Sequence, residues 1–584
     1  MSTPIDVPGV TLPSKVSTLV FSRIAGLADI ENAVGAGLLR RWEELLDLDP
    51  FATFFQGPIW CMEWYRAYSA TYVPFLIVAQ SGGEVVGLAA MASQGATGEL
   101  VFAGAGMADY RDVLALPEHR ESMLREFLRV YRTGKYPNVF HFGSTVPEAP
   151  SVDILLRLSG ETGVPMIRRY FFGWRWWPQE AKEDPFKSRS VKYKMNCIRR
   201  RGEVSADVVR TDAEWDALKR EFYLQHSLRQ VSRGTGVSFN SAEKQAFYDA
   251  LFHSPLGHVT VLRGAGKLLA CHYGLISKGV LYLGAPSFDV RERQYSPGLL
   301  LVLSIMKRSA EWGIAGFDLT IGEGDLKERC STTRVSLPLV ELYPQGLMYW
   351  RKRAELVAVH AIRRVLGDER WTKDIRPYLV ETIGQLLNIF RMPPMLAARY
   401  VRETVLAPVW QRTRTVLFWA EAPVNLTTAD GTREYRLNEI YDLLLEVPGA
   451  YAKWRIMTAA GKLPAASQAG SDFHTLVVNG RLAGWGFSRI LEKETESGVD
   501  GVALQTGEAL LHDFEMLPGF EHELSGFLAD TARRRFAQGA SRVALVAVNP
   551  RSGVANGAAN ARFAIGNITL KTRWPWREKK QKAS

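Results

Sequence analysis

The stretch Arg291-Glu-Arg-Gln-Tyr-Ser-Pro-Gly-Leu-Leu-Leu301 joins a strand-like run to an apolar, helix-like run. Ser296 is a favourable N-cap and Pro297 a favourable first helical residue, so the pattern predicts that a helix begins here. Such a helix points unpaired backbone N–H groups and the positive end of its dipole at the loop, and Gly298 lets a phosphate approach the backbone. The loop alone leaves two interpretations open: a phosphate-binding site, or the ordinary start of a buried helix.

The loop lies within a unit that recurs along the chain as a strand, a glycine turn, a second strand, a further strand, a helix and a strand. The three strand-turn-strand segments are 74–90, 258–274 and 473–487. Each turn glycine (Gly83, Gly266 and Gly480) precedes a charged residue and an apolar strand, as a tight hairpin requires. These glycines are 183 and 214 residues apart, which is a domain length rather than a solenoid period. The sequence therefore predicts an α/β (α+β) fold of tandem domains, with mixed central sheets flanked by helices.

The length of the chain, 584 residues, exceeds what one hydrophobic core supports. We expect four segments, which are an N-terminal domain over 15–180, a second domain over 181–345, a basic helical connector over 346–415 and a C-terminal domain over 416–575. The connector is rich in arginine. Its basic face fits either a peripheral membrane contact or a solvated helix surface.

Composition narrows the class of protein. The start of the chain has no secretory pattern and no apolar run is long enough to cross a bilayer, so we expect a cytoplasmic protein without a transmembrane segment. The four cysteines lie far apart and have no metal-ligand spacing, which predicts reduced thiols and no metal. The net charge of +11 favours an anionic partner: the phosphate of coenzyme A or a nucleotide, a nucleic acid, or a membrane surface.

The corresponding loops of the other two units decide between the interpretations of the Ser296 loop. In the first unit the helix follows Leu116-Pro-Glu-His119, which has Glu118 and no glycine. In the third it follows Leu517-Pro-Gly-Phe-Glu-His-Glu-Leu524, where Glu521 and Glu523 would repel a pyrophosphate. The middle unit alone is therefore predicted to bind phosphate in this way.

The pattern Arg293-x-x-Ser296-x-Gly298 resembles the acyl-CoA loop of GNAT acetyltransferases, written Q/R-x-x-G-x-G/A, with Ser in place of the first Gly. Residues 50–345 resemble the BioF2-like or CelD-like acetyltransferases, a branch near the FemAB peptidyltransferases that pairs two GNAT-like domains. The residues that carry this resemblance are Trp60, Trp64, Asp109, Tyr110, Asp112, Lys187, Arg189, Lys192, His226, Arg229, Phe288, Asp289, the Tyr295 to Leu300 loop, Phe317, Asp318, Gly324, Asp325 and Lys327. The family usually has Tyr-Lys where Leu326-Lys327 stands, and the C-terminal domain resembles only a degenerate GNAT unit.

The resemblance implies that acyl-CoA, with acetyl-CoA as the leading expectation, is a co-substrate. An acceptor amine, or less often a hydroxyl, would attack the thioester directly, without a covalent enzyme intermediate. The cofactor-binding residues would be Arg293, Tyr295, Ser296, Pro297, Gly298 and Leu299. The acceptor-binding residues would be Asp109, Tyr110, Asp112, Lys192, His226, Arg229 and Lys327.

The chemistry needs a base for the amine proton and a donor for the departing thiolate. Asp318 and Asp325, near the end of a strand, and His272 on an adjacent strand are the candidate bases or orienting groups, and Tyr282 or Tyr295 is the candidate donor. Each has a structural alternative, because a strand histidine is often simply hydrogen-bonded in a core and an aspartate after a strand often caps a turn.

The segment Lys187 to Arg201 contains seven basic residues and no acidic one. It would meet an anionic acceptor or the 3′-phosphate of coenzyme A, or it is a solvated helix between two domains. Its charge also fits a nucleic acid, but no pattern of stacking aromatic residues supports that partner.

Three functions follow as hypotheses. The first is an acyltransferase acting on the amine of an amino sugar, a polysaccharide or glycan precursor or another small molecule such as an amino-acid derivative. The second is a FemAB-like transferase that uses aminoacyl-tRNA. The third is a non-catalytic scaffold of GNAT-like units.

Overall fold

The chain is described by a computed structural model that covers residues 19–181, 185–233, 238–322, 324–366, 411–421, 433–445, 450–491, 495–499, 502–548 and 563–573, with residues 558, 560 and 561. Three large β-sheets organise these residues, and helices pack on them. The structure confirms the mixed α/β class expected from the alternation of strand-like and helix-like runs.

The first sheet is antiparallel, with strand order β1-β2-β3-β4 and β5 paired to β3. Its strands are β1 (Val20–Ala25), β2 (Tyr72–Ser81), β3 (Glu84–Gln94), β4 (Leu100–Phe102) and β5 (Leu114–Ala115). The helices around it are α1 (Leu27–Ala33), α2 (Leu39–Leu48), α3 (Pro58–Tyr68), α4 (Arg120–Thr133) and α5 (Ser151–Thr162). Leu76 packs in one core and Ile77 in another, so β2 is buried on both faces. That burial explains its continuous apolar sequence.

The second sheet has eight strands in the order β6-β13-β7-β12-β11-β10-β9-β8. They are β6 (Phe140–Ser144), β7 (Met166–Trp176), β8 (Val204–Val209), β9 (Gly257–Gly264), β10 (Lys267–Ser277), β11 (Val280–Phe288), β12 (Gly316–Ile321) and β13 (Thr333–Leu342). Its helices are α6 (Arg189–Arg199), α7 (Asp212–Ser232), α8 (Ala242–Phe252), α9 (Pro297–Lys307), α10 (Asp325–Cys330) and α11 (Gly346–Leu366).

This sheet crosses the domain boundary that the sequence predicts at residue 180. Strand β7 lies before the boundary, yet it is hydrogen-bonded between β12 and β13, and β6 pairs with β13. Without β7, the facing edges of β12 and β13 would have backbone N–H and C=O groups with no strand partner. Loop and composition signals in the sequence do not report such a long-range pairing.

The third sheet has the strand order β15-β16-β17-β20-β21-β14-β22. This order matches that of the second sheet when the second is taken from β8 to β13, without β6. Its strands, with the separate β18–β19 pair, are β14 (Gln411–Ala420), β15 (Arg433–Leu437), β16 (Asp472–Val478), β17 (Arg481–Ile490), β18 (Thr495–Val499), β19 (Val502–Leu504), β20 (Ala509–Met516), β21 (Val543–Val548) and β22 (Ala564–Arg573). Helices α12 (Ala450–Gln468) and α13 (Leu524–Ala537) accompany it. Both sheets contain one parallel pair, β11 with β12 and β20 with β21. In both, a strand from upstream, β7 or β14, pairs beside it.

The three turn glycines adopt the conformation that the sequence predicts. Gly83, Gly266 and Gly480 have φ of 88°, 76° and 72° at the β2–β3, β9–β10 and β16–β17 turns. Positive φ is a conformation that glycine adopts without steric cost.

An apolar cluster joins the second and third units. Leu228 of α7 and Val290 pack with Ile456 and Leu463 of α12. Of the predicted connector, α11 covers residues 346–366, and residues 367–410 lie outside the described part. Among the described residues, no helix has the length and apolar character needed to cross a membrane.

Candidate functional site

Strands β11 and β12 run parallel and then separate. Their paired residues are Val280 with Gly316, Leu281 with Phe317 and Tyr282 with Asp318. Strand β11 continues to Phe288 and β12 to Ile321, and no further pairs join these described stretches. The pairing of β12 with β7 is also irregular after Asp318, where Thr320 has a φ of 60°. The result is an opening in the sheet whose closed end is the Tyr282–Asp318 pair.

Asp318 is buried at the closed end of this opening and accepts hydrogen bonds from three directions. The Tyr110 hydroxyl lies 3.1 and 3.0 Å from its two carboxylate oxygens, Arg175 Nε donates at 3.3 Å, and the Thr320 N–H donates at 2.8 Å. The register of β12 with β7 places Arg175 opposite Asp318. Burial raises the pKa of Asp318, and the Arg175 charge and these hydrogen bonds oppose the rise. Asp318 is therefore a fixed acceptor that holds Tyr110 and Arg175 in place.

Asp109 and Lys327 form the next layer of charge around Thr320. Burial raises the pKa of Asp109 to about 6, although the Lys327 charge and a hydrogen bond with the Thr320 side chain both act to lower it. Lys327 Nζ donates to the Ile321 carbonyl at 2.5 Å and lies 3.5 Å from Thr320 Oγ1. Burial lowers the pKa of Lys327. A carboxylate whose pKa lies near neutrality can exchange a proton at physiological pH.

Tyr282 lines the same space. Its ring lies 5.0 Å from Phe54, 6.3 Å from Phe55 and 6.4 Å from Tyr110, measured between ring centroids. Burial, followed by the charge of Asp318, raises the pKa of Tyr282, so its hydroxyl stays protonated at neutral pH. Among the described residues, no side chain or backbone group hydrogen-bonds to this hydroxyl. The hydroxyl therefore keeps its proton at the closed end of the opening.

In the loop before α9, the Ser296 side chain does not cap the helix. A 3₁₀ turn over Val290–Tyr295 leads to Ser296, which has left-handed φ and ψ of 51° and 53°. The Ser296 hydroxyl makes no capping bond to the helix; it accepts a hydrogen bond from Lys194 Nζ at 2.7 Å. The N-cap role predicted for its side chain is therefore wrong. The left-handed backbone turns the hydroxyl away from the helix N–H groups, and the hydroxyl bonds to Lys194 instead. The N–H groups of Gly298 and Leu299, in the first helical turn, have no intrahelical partner.

Gly298 has little contact with the rest of the protein. Within the described part of the chain, a β-carbon added there would meet only Phe288, at 3.5 Å, an ordinary contact distance. The fold itself tolerates a side chain at this position. The glycine keeps free space directly above the helix N-terminus, as the phosphate interpretation requires.

The basic side chains around this loop differ in whether they pair with a carboxylate. Arg201 pairs with Glu292 at 2.8 Å and lies 4.6 Å from the centre of the Tyr295 ring, and Arg291 pairs with Asp289 at 2.7 Å. Arg293 is exposed. Among the described residues, Lys194 and Arg293 have no carboxylate partner, and Lys194 reaches Ser296 at the helix start.

Lys194 is a residue that sequence reasoning missed in favour of Lys192. Lys192 is exposed on α6, whereas Lys194 reaches Ser296. Val191, Met195 and Ile198 are the buried residues of this helix. Lys194 lies three residues after Val191 and four before Ile198, so the helical period places it beside the buried face.

Two predicted catalytic residues are not at the site. His272 is buried on the α9 side of β10, where its ring lies 5.5 Å from Phe317, and Phe317 and Asp318 point to opposite faces of β12. Burial lowers the pKa of His272 to about 3, so its ring is neutral. Asp325 begins α10 on the surface and pairs with Arg329 at 2.8 Å. The carboxylate has no contact with Asp318 among the described residues, because the chain turns into the helix first.

Three residues predicted to bind the acceptor belong to other parts of the structure. Asp112 is buried against Arg120 and Ser151, at 3.0 and 2.6 Å, and supports the first unit. His226 and Arg229 lie on α7, where Arg229 Nη1 donates to the Pro286 carbonyl at 2.6 Å and His226 packs on aromatic rings. Burial lowers the pKa of His226 to about 3. Of the predicted acceptor set, Asp109, Tyr110 and Lys327 are the residues that the structure brings to Asp318.

The equivalent loops of the other units are closed to an anion. In the third unit, the Gly519 N–H donates to the Glu521 carboxylate at 2.8 Å, so the protein supplies its own anion there. Helix α13 begins only at Leu524, after a 3₁₀ turn that contains Glu521 and Glu523. In the first unit, Glu118 lies in the 3₁₀ turn before α4.

A comparison with protein families matches the segment of the chain that contains the Ser296 loop and the β11–β12 opening. Residues 186–328 match the family described as "Acetyltransferase (GNAT) domain". No curated protein sequence gives a significant match to the chain.

Three solved structures cover about half of the chain at low identity. FemX is 11% identical, with 53% of this chain and 97% of that chain covered and a TM-score of 0.39. The C-terminal domain of a putative lysylphosphatidylglycerol synthetase from Agrobacterium fabrum is 14% identical, with coverage of 56% and 96% and a TM-score of 0.37. A tandem GNAT protein from the clavulanic acid biosynthesis pathway is 11% identical, with coverage of 55% and 98% and a TM-score of 0.33.

The matched segment contains the Ser296 loop, the β11–β12 opening and Asp318. Residues 186–328 therefore form a GNAT acetyltransferase domain, and the chain that carries it is an acyltransferase.

Proposed function

We propose that this acyltransferase uses acyl-CoA as donor and transfers an acetyl or longer acyl group to an amine of an amino sugar, a polysaccharide precursor or an amino-acid derivative. One observation carries the proposal. The start of α9, which the Ser296 side chain does not cap, follows the end of β11, and β11 separates from β12 just beyond the Tyr282–Asp318 pair. An anion site and a group of proton-transfer residues are thus connected by one opening in the sheet.

The donor would be held by its phosphates at the start of α9. The Gly298 and Leu299 N–H groups would bind the pyrophosphate of coenzyme A, and Lys194 would add a positive charge. The pantetheine arm would lie in the opening between β11 and β12, where unpaired strand backbone can hydrogen-bond to its amides. This places the thioester toward Tyr282.

The reaction balances with groups already at the site. Asp109 would accept the proton of the acceptor ammonium, which leaves a neutral amine with a free electron pair. The amine nitrogen forms a bond to the thioester carbonyl carbon, the carbon–sulfur bond breaks, and the sulfur leaves as a thiolate. Tyr282 would donate a proton to that thiolate and regain the second proton that the nitrogen loses as the amide forms. Asp318 acts through its hydrogen bonds, by fixing Tyr110 and Arg175 beside the reacting atoms.

The acceptor would enter from the side of the first unit. Tyr110 and the Phe54–Phe55 pair come from that unit and their rings lie near Tyr282, and Asp109 of the same unit lies beside Thr320 and Lys327. A carboxylate beside aromatic rings suits a small molecule that carries an amine. The acceptor class rests on this chemistry, and the cytoplasmic location expected from the sequence stays a prediction.

The second candidate donor is an aminoacyl-tRNA, favoured by the basic surface of α6. Lys192, Arg199 and Arg200 remain exposed on this segment after Lys194 and Arg201 are committed to the Ser296 loop. If tRNA is the donor, it co-purifies with the protein, and its affinity falls steeply as salt concentration rises.

Calorimetric titration of the full chain with acetyl-CoA tests the donor. We expect one site per chain, because the other two loops carry glutamates. Lys194→Glu and Gly298→Glu should each weaken binding by tenfold or more, since each places a carboxylate at the anion site. Lys192→Glu is the matched control, with the same charge change two residues away on an exposed face.

The result that overturns the acyl-CoA donor is equal affinity in all three variants, or no binding in any form of the protein. A chain that binds acetyl-CoA at Lys194 but releases no coenzyme A thiol with any amine in a broad panel would instead support the non-catalytic scaffold.

A further inference from the structure

Helix α11 (Gly346–Leu366) presents an apolar stripe to solvent. Leu347, Trp350 and Val357 are 80%, 61% and 63% exposed. They are spaced by three and seven residues, so they lie along one face of the helix, with the exposed Ala354 between them. Exposed side chains of this size, aligned in a row, mark an interaction surface rather than a solvated helix.

The stripe faces away from the part of the protein that the structure describes. Tyr349, Lys352, Leu356 and Val359 are half-buried and follow the same spacing on the opposite side of the helix. The Tyr349 ring lies 5.9 Å from that of Tyr343, at the end of the second sheet. The helix therefore rests on the fold with one side and leaves the Leu347–Trp350–Val357 stripe outward.

Positive charge flanks the stripe. The sequence of α11 has five basic residues, Arg351, Lys352, Arg353, Arg363 and Arg364, and one acidic residue, Glu355. Glu355 is paired with Lys352 at 2.7 Å. By helical spacing, Arg351 borders one edge of the stripe and Arg353 the other, and Arg353 lies 5.5 Å from the centre of the Trp350 ring. Within the described residues, neither Arg351 nor Arg353 pairs with a carboxylate.

We propose that α11 lies on an anionic membrane surface, with its Leu347–Trp350–Val357 stripe in the acyl boundary and its arginines at the lipid phosphates. A row of leucine, tryptophan and valine bordered by arginine is the composition of a helix that lies in a bilayer interface. The arginines argue against a second copy of this chain as the partner, because pairing the stripes would bring two positive helices together. A nucleic acid would engage the arginines and leave the apolar stripe exposed.

Co-sedimentation of the full chain with lipid vesicles tests the proposal. We expect binding to mixed phosphatidylcholine–phosphatidylglycerol vesicles, weaker binding to pure phosphatidylcholine, and a loss of affinity as salt rises. Leu347→Glu combined with Trp350→Glu should abolish binding. Arg351→Ala with Arg353→Ala should lower the affinity by roughly 25-fold, about fivefold for each arginine. Leu48→Glu, at a 56% exposed leucine of α2, is the matched control and should bind like the parent.

A second readout places α11 itself at the bilayer. Brominated lipids should quench the fluorescence of the parent protein more than that of Trp350→Phe. All substituted side chains are exposed, so circular dichroism and the thermal midpoint should not change.

Three outcomes overturn the proposal. One is no binding to either vesicle. Another is binding that survives Leu347→Glu with Trp350→Glu. The third is a dimer in light scattering that dissociates in that double variant, which would make a second copy the partner of the stripe.

Discussion

The Tyr110 hydroxyl is hydrogen-bonded to the Asp318 carboxylate across 208 residues of sequence. Tyr110 lies between β4 and β5 of the first sheet, and Asp318 lies on β12 of the second. The site of this acyltransferase therefore depends on the packing of one unit against the other. Each half supplies one partner of the bond.

Tyr110→Phe removes this bond and leaves Asp318 with Arg175 and the Thr320 N–H. We expect kcat/KM for acyl transfer to fall by about tenfold or more, because Asp318 then holds Arg175 less firmly beside the reacting atoms. Release of the coenzyme A thiol measures the rate. Tyr131→Phe is the control: it deletes another buried hydroxyl, which donates to the Leu342 carbonyl at 3.0 Å far from the site. If both variants lose the same activity, Tyr110 has only a structural role.

Tyr282→Phe tests the proton donor for the thiolate. Since the ring contacts with Phe54 and Phe55 persist, we expect affinity for acetyl-CoA to stay within about twofold while kcat falls by about 10²-fold. A donor with a more acidic thiol as leaving group should recover most of the rate, because its thiolate needs no proton. An equal loss with both donors would exclude Tyr282 from this role.

Activity should depend on pH through Asp109. Its pKa is raised to about 6, and the base form is the ionised one, so kcat/KM should rise as pH increases through about 6 and then level off. Asp109→Asn should remove this limb of the profile and lower the plateau. A limb that persists unchanged in Asp109→Asn would assign the base to another group.

The same pKa predicts a change in stability. Folding raises the pKa of Asp109 from 3.8 to about 6, so the folded chain binds its proton more tightly than the unfolded chain does. The contribution of Asp109 to stability is therefore present below about pH 4 and is lost as pH rises through about 6. We expect Asp109→Asn to gain about 1–3 kcal/mol relative to the parent between pH 4 and pH 7. Urea unfolding at both pH values measures the difference, and a gap that narrows with pH would contradict it.

Arg120 supports the first unit through a buried pair of carboxylates. It bonds Asp49 at 2.5 Å and Asp112 at 3.0 Å, and all three side chains are almost fully buried. Arg120→Met leaves both carboxylates without a counter-charge, so we expect a loss of about 3–5 kcal/mol in the free energy of unfolding. Arg125→Met, which removes ion pairs from the exposed face of the same helix, should cost about 1 kcal/mol or less. Similar losses in the two variants would contradict the importance of burial.

Local patterns were enough to predict the Ser296 loop, its helix and the three glycine turns, because each depends on a few adjacent residues. Asp318, near the end of a strand, and Tyr282 are also candidates from the sequence, and the structure pairs these two residues across β11 and β12. Arg175 was missed, although a single arginine within the aromatic run Tyr170-Phe-Phe-Gly-Trp-Arg-Trp176 is the signal that would have found it. Its partner Asp318 is 143 residues away, and a local sequence pattern does not predict a contact between residues so far apart.

His272 and Asp325 show why candidate bases are hard to place from sequence. A strand alternates between two faces, and the choice of face depends on which helix covers which side. By that alternation His272 lies on the face of the sheet that α9 covers, whereas Asp318 lies on the opposite face. Asp325 is separated from Asp318 by the start of α10, which turns it to the surface.

The pairing of β6 with β13 also sets the order in which the protein can fold during synthesis. Ser144 pairs with Leu339, so β6 leaves the ribosome almost two hundred residues before its partner. Until residue 342 has been made, β6 and β7 are nascent strands whose edges lack β13 as a hydrogen-bonding partner. The acyl-transfer site is therefore completed late in translation, by the strand that follows Asp318.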